Sequence, residues 1–291
     1  MNKYYRKVPP EMLEKFMLFR QEHPLTKREL EGITWEYIHA GHPSGQPLLL
    51  LPGGLGTAES AWRMISGLDH RKYHLLCPSY PAQVSSMTAL ADGIARLLML
   101  EGMQTTYLVG GAYGSMLAQV FIHCHAEMVS KLVLTDAYPP LPSRVKTVDP
   151  TLRLFKWVPL FMVKNMLRTQ MTGRLPPDTP AELQLIAAQI RETLDTRLTR
   201  QAAMSTYLRM MDFDRQEYSP SDLSAWQGKT LIMLAEDDPT TPVALRDALV
   251  ALYPGATVHL FKGSGHATGI LESGEYIKVI EEFLRDEGNS D

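Results

Sequence analysis

The run Thr106-Tyr107-Leu108-Val109-Gly110-Gly111-Ala112-Tyr113-Gly114 has the layout of a nucleophile elbow, with glycines two positions before and two positions after residue 112. In such a turn a buried strand passes so sharply into a helix that the central residue is held in a strained conformation. The flanking positions lack side chains so that strand and helix can approach each other. One side chain is thereby lifted above the sheet edge, where a serine hydroxyl could attack a carbonyl carbon. Here that side chain is the methyl group of Ala112. Ser115 is no substitute, because it lies nearly one turn into the helix and faces away from the tip.

A serine at such a tip needs a base, and the base needs a carboxylate that fixes its tautomer. Leu231-Ile232-Met233-Leu234-Ala235-Glu236-Asp237-Asp238-Pro239 reads as an apolar strand running into an acidic turn, with Pro242 opening the next helix. Asp238 is the best-placed acid, and Asp136, at the end of an earlier strand, is its one alternative seat. Val258-His259-Leu260-Phe261-Lys262-Gly263-Ser264-Gly265-His266 is a short strand and a glycine loop ending in histidine, which makes His266 the expected general base. Glu236 and Asp237 read as a solvated turn, His259 as an exposed strand residue, and His123 and His125 as helix-end residues.

The fully apolar run Pro47-Leu48-Leu49-Leu50-Leu51 suits a strand buried on both faces, and it opens into Pro52-Gly53-Gly54-Leu55-Gly56. Glycines there let backbone N–H groups point at a developing oxyanion, with a second donor on the residue after the nucleophile. Gly54 and Tyr113 are therefore the expected oxyanion donors. A phosphate-binding loop would need a Gly-Lys-Ser/Thr ending or a G-x-G-x-x-G helix start, and neither is present.

On Pro52-Gly53-Gly54, Gly110-Gly111-Ala112-Tyr113-Gly114, Asp238 with Pro242, and Gly265-His266, the chain resembles the α/β-hydrolases over about residues 32 to 286. Pro159, Phe161, Met162 and Lys164 add a fainter similarity to the maspardin-like branch. Two departures stand out: Pro52, where many members carry histidine, and Ala112. The resemblance implies a mostly parallel eight-stranded sheet flanked by helices, with a helical cap inserted after the sixth strand. It also implies ester, thioester or lactone hydrolysis through an acyl-enzyme, without metal or organic cofactor.

Those groups need a scaffold, and the apolar runs supply one. Residues 10 to 22 read as a short lead-in helix. Strands are expected at 33–40, 47–52, 73–80, 105–110, 131–136, 230–235 and 257–261, and helices near 59–68, 86–101, 114–126, 242–253 and 274–286. About ninety residues between Asp136 and Lys229 break this alternation and read as helices without a strand. The core is thus expected at 1–138 and 228–291, with a cap at 139–227. Trp157, Phe161, Met162 and Met210 are the candidate pocket walls for an apolar acyl or aryl substrate, with methionine suited to an irregular surface. Arg144, Lys146 and Arg153 stand near the cap entrance as seats for a carboxylate or as a solvated face.

Composition narrows the class further. The net charge of −3 over 291 residues leaves no nucleic-acid footprint, and no run is apolar and long enough for a membrane span or signal peptide. A cytoplasmic enzyme is expected, and a homo-oligomer is compatible with this composition. Cys77 and Cys124 lack metal-ligand spacing and are expected as buried free thiols. Because the glycines, acid and histidine are all retained while only the hydroxyl is gone, Ala112 points to a Ser→Ala replacement in a serine hydrolase. A natural ligand-binding protein, or a lyase or C–C hydrolase that works through His266 alone, is the alternative.

Overall fold

The computed structural model describes residues 3–146, 157–172, 180–263, 265–271 and 273–285. Eight strands form one sheet: β1 (Thr26–Leu30), β2 (Ile33–Gly41), β3 (Gln46–Leu51), β4 (Tyr73–Pro78), β5 (Thr106–Gly111), β6 (Val129–Thr135), β7 (Lys229–Ala235) and β8 (Thr257–Phe261). Their order across the sheet is β1-β2-β4-β3-β5-β6-β7-β8. The β1–β2 and β2–β4 pairs are antiparallel and the others parallel. The consequence for chemistry is that the carboxyl ends of β3, β5, β6, β7 and β8 all open on one edge.

Helices α1 (Pro10–Glu22), α2 (Trp62–Gly67), α3 (Met87–Leu100), α4 (Tyr113–Cys124), α5 (Leu160–Thr172), α6 (Pro180–Thr196), α7 (Arg200–Asp214), α8 (Val243–Leu252) and α9 (Ser273–Leu284) flank the sheet. Successive strand residues point to opposite faces, and β3 shows what that does. Leu49 and Leu51 join a core with residues of α3, α4 and α8, whereas Leu48 and Leu50 join one with Phe16 and Phe19 of α1, Ile65 of α2 and Ile280 of α9. A strand covered on both faces has no polar alternation, which is why it reads as an uninterrupted apolar run.

The expected strands are all present, and β1 is added to them. Its sequence, Thr-Lys-Arg-Glu-Leu, is largely exposed, so it lacks the apolar alternation that marks a strand. It forms because Glu31 (φ 53°) and Gly32 (φ 77°) make a two-residue turn that folds it back on β2, with Leu30 opposite Ile33. Positive φ at both central positions is the hairpin turn whose twist matches the flanking strands. The thiol expectation is half corrected. Cys77 is buried, but Cys124, the last residue of α4, is exposed.

Between β6 and β7 the described residues hold α5, α6 and α7 and no strand. The last of these is pinned to the core. Asp212 accepts hydrogen bonds from Ser86 Oγ at 2.9 Å and from the Met87 N–H at 2.7 Å, at the start of α3. Ser205 Oγ donates to the Ala82 carbonyl at 2.6 Å, and Phe213 is fully buried in the α3–α4 core. No helix among the described residues is long and apolar enough to cross a membrane.

Candidate active site

Ala112 occupies the turn between β5 and α4 with φ 50° and ψ −112°, a conformation that costs an L-residue energy and persists only where its surroundings impose it. The surroundings are the two glycines. A Cβ on Gly110 would lie 2.4 Å from the Gly114 carbonyl oxygen, and one on Gly114 would lie 2.2 Å from that of Leu51. Strand, helix and the end of β3 therefore meet without side chains between them. The Ala112 N–H donates to the Thr135 carbonyl at 2.9 Å, fixing the turn to the end of β6. Ser115 is wholly buried, and its hydroxyl donates back to the Ala112 carbonyl at 2.6 Å. As expected, it does not reach the tip.

Gly54 follows β3, and nothing lies within 4 Å of the position its Cβ would take. Its neighbour Gly53 runs beside the elbow, with a Cβ position 3.6 Å from the Gly111 carbonyl oxygen. Tyr113 opens α4, so its N–H is among those that have no acceptor inside the helix. The glycine loop after β3, through Gly53, and the first residue of α4 thus flank the elbow.

Asp238 and His266 are in direct contact: the imidazole Nδ1 lies 2.8 Å from Asp238 Oδ2. The other carboxylate oxygen accepts from the Thr240 N–H and hydroxyl, each at 2.8 Å. Burial of Asp238 would raise its pKa, but the hydrogen bonds from His266 and Thr240, together with the imidazolium charge, outweigh it and hold the carboxyl down at about 2. The side chain is entirely shielded from solvent, while that of His266 keeps 20% of its surface exposed. A carboxylate held at Nδ1 fixes which ring nitrogen faces the acid and which faces away from it.

Two supporting groups were not foreseen. Thr240 stands 2.9 Å from His266 Nδ1 as well as on Asp238. Asp237, expected as part of a solvated turn, accepts the Gly265 N–H at 3.0 Å and so anchors the loop that carries His266. Asp136, beside the elbow's partner Thr135, also faces this pair. It has φ 48°, and one ligand atom from each of Asp136, Asp238 and His266 falls within 4.8 Å of the others. Burial pushes its carboxyl up to about 7, with the His266 charge opposing the rise and Asp238 adding to it. Within this cluster the 2.8 Å contact between Asp238 and His266 is a hydrogen bond, so these atoms point at each other rather than at a common centre.

The four expected pocket walls differ in burial. Trp157, Phe161 and Met162 are 84%, 72% and 51% exposed, whereas Met210 packs against the α3–α4 core. An apolar stripe looks the same in sequence whether it faces a pocket or water. Arg144 is committed to Asp214 through contacts of 2.5 and 2.7 Å, Lys146 is exposed, and Arg153 lies outside the described residues.

Comparison with known proteins gives the same architecture. A family model described as alpha/beta hydrolase fold matches residues 46–273. The Serratia proteamaculans protein named "Putative carbamate hydrolase RutD" is 26% identical over 257 residues, which span 82% of this chain and 91% of that protein. A hydrolase from Pseudomonas aeruginosa PA01 superposes with a TM-score of 0.75 at 17% identity, covering 90% of this chain and 99% of that one. A thermophilic esterase from Thermogutta terrifontis does so with a TM-score of 0.71 at 19% identity, covering 90% and 97%.

Proposed function

The chain belongs to the α/β-hydrolase family, and on that premise we propose that it is a serine hydrolase of esters, thioesters or lactones whose nucleophile position carries alanine. The observation that supports this most is the strained turn at Ala112, with its φ of 50° and its flanking glycines intact. A strained turn serves no purpose for a methyl group, but it is what presents a hydroxyl to a carbonyl.

With serine at position 112 the reaction runs as follows. The hydroxyl attacks the carbonyl carbon while His266 Nε2 takes its proton, and the Asp238 carboxylate on Nδ1 stabilises the imidazolium that forms. The negative charge moves to the carbonyl oxygen, where the N–H groups of Gly54 and Tyr113 receive it. His266 then returns the proton to the leaving alcohol or thiol. Water, activated by the same imidazole, hydrolyses the acyl-enzyme. The helices between β6 and β7 serve as the cap over this site, and the substrate is a small molecule.

As it stands, with Ala112, the chain retains the binding site and loses the covalent step. Ala112→Ser should produce hydrolysis of short or medium acyl esters, and because a lost triad nucleophile costs on the order of a millionfold in turnover, the gain will be unmistakable. A folded Ala112→Ser protein inert towards a broad ester, thioester and lactone panel would instead favour a ligand-binding protein, or acid-base chemistry at His266 alone.

A further inference from the structure

Arg209, on the inner side of α7, is the largest fully buried side chain among the described residues, with 2% of its surface exposed. Its Nε donates to the Ser205 carbonyl one turn back, at 3.1 Å, and its Nη1 is buried with no hydrogen-bond partner. A guanidinium in such a place normally sits on a carboxylate, since an unpaired buried charge is among the costliest features a fold can keep. The two acids on the same stretch of helix are committed elsewhere: Asp212 to Ser86 and Met87, and Asp214 to Arg144. Among the described residues no carboxylate forms an ion pair with Arg209.

The guanidinium lies beside the elbow. Its carbon is 5.8 Å from the centre of the Tyr80 ring, and that ring is 5.6 Å from the ring of Tyr113. Tyr80 donates its hydroxyl to the Pro52 carbonyl at 2.7 Å, under the glycine loop. The Tyr113 hydroxyl is a second buried polar group without a partner. A cation and a phenol donor, both hidden and each with an unpartnered polar atom, thus both stand against the Tyr80 ring, next to the residue that follows Ala112. Tyr80 gives Arg209 only the face of an aromatic ring, which attracts a cation but accepts no directed hydrogen bond.

We propose that Arg209 and the Tyr113 hydroxyl receive a carboxylate on the substrate, so that this site takes anionic acyl compounds rather than wholly apolar ones. A carboxylate accepts several hydrogen bonds and neutralises the guanidinium, and both unsatisfied donors are then paired. For the acyl end of the substrate the proposal rests on the hydrolase reading above, but the carboxylate seat itself is tested without turnover.

The test is calorimetry on the chain with Ala112 in place, using the straight-chain carboxylates butanoate through decanoate, each against its neutral amide of the same length. At least one carboxylate should bind about tenfold or more tightly than its amide. Arg209→Gln should remove that preference and Arg209→Lys should keep part of it. Unliganded Arg209→Gln should melt no lower than the parent, because it loses an unpaired buried charge. Should Arg209→Gln not fold, Tyr113→Phe decides instead: it removes only the hydroxyl and should weaken carboxylate binding more than amide binding. Equal binding of carboxylates and amides, no binding of any carboxylate, a preference that survives Arg209→Gln, or one that is undiminished in Tyr113→Phe would overturn the proposal. Failure of the hydrolase reading would show elsewhere, as an Ala112→Ser protein inactive on neutral and anionic esters alike.

Discussion

Asp238 and Asp136 stand at neighbouring strand ends, face one imidazole, and are driven in opposite directions by what surrounds them. Asp238, held down at about 2 by His266 and Thr240, stays ionised across the working range and can orient the base. In the Ala112→Ser background, Asp238→Asn should therefore lower turnover by up to about ten-thousandfold, because the amide favours the wrong tautomer. Asp136→Asn should do far less, and the reverse ranking in steady-state kinetics would move the acid to β6. Asp136 makes a separate prediction about stability. Its folded pKa of about 7 lies above the ordinary 3.8, so its contribution is complete below about pH 4 and is lost as pH rises through about 7. Asp136→Asn, neutral throughout, should raise the melting temperature relative to the parent at about pH 8.5 but not at about pH 4. An equal shift at both values would contradict the assigned environment. The residues proposed for bond making were legible in sequence because that chemistry demands particular types at strand ends. Thr240 and Asp237 were not, since a threonine and a second acid in a turn carry no signal until the loop geometry brings them to His266 and Gly265.

At the scale of elements, the site depends on how closely β5, α4 and the end of β3 approach. Gly114→Ala would set a Cβ 2.2 Å from the Leu51 carbonyl oxygen and 2.8 Å from that of Pro52. Neither backbone atom can yield as a side chain would. The substitution should cost about 3 kcal/mol in chemical denaturation. Gly54→Ala, with open space around its Cβ, should stay within about 0.5 kcal/mol. Similar losses in both would mean that the elbow is not the tight crossing described. The parallel strands were readable because burial on both faces leaves only apolar residues in them. Strand β1 was not, because it is held by a hairpin turn and by backbone hydrogen bonds to β2, and its outward side chains are free to be polar.

Across the whole molecule, the inserted helices are tied to the chain's beginning as well as to the sheet. Glu192 on α6 accepts a hydrogen bond from the Tyr5 hydroxyl and an ion-paired one from Arg20, each at 2.6 Å, and Arg20 also holds Glu59 at 2.8 Å. Glu192→Ala leaves two partly buried donors behind and should destabilise the protein by about 1–3 kcal/mol, read as a lower denaturation midpoint. An unchanged midpoint would show that this junction contributes nothing to stability. No sequence pattern announced the junction, just as none announced the exposure of Trp157 and Phe161, because both depend on where helices far apart in sequence come to rest. The claim that binds these scales together is that residue 112 is a nucleophile position activated by His266. Intact-protein mass spectrometry after treatment with a fluorophosphonate tests it most directly. The account predicts one covalent addition, mapped to position 112, in Ala112→Ser, and none in the parent or in Ala112→Ser combined with His266→Ala. A folded Ala112→Ser protein that remains unlabelled, or labelling that persists without His266, would contradict it.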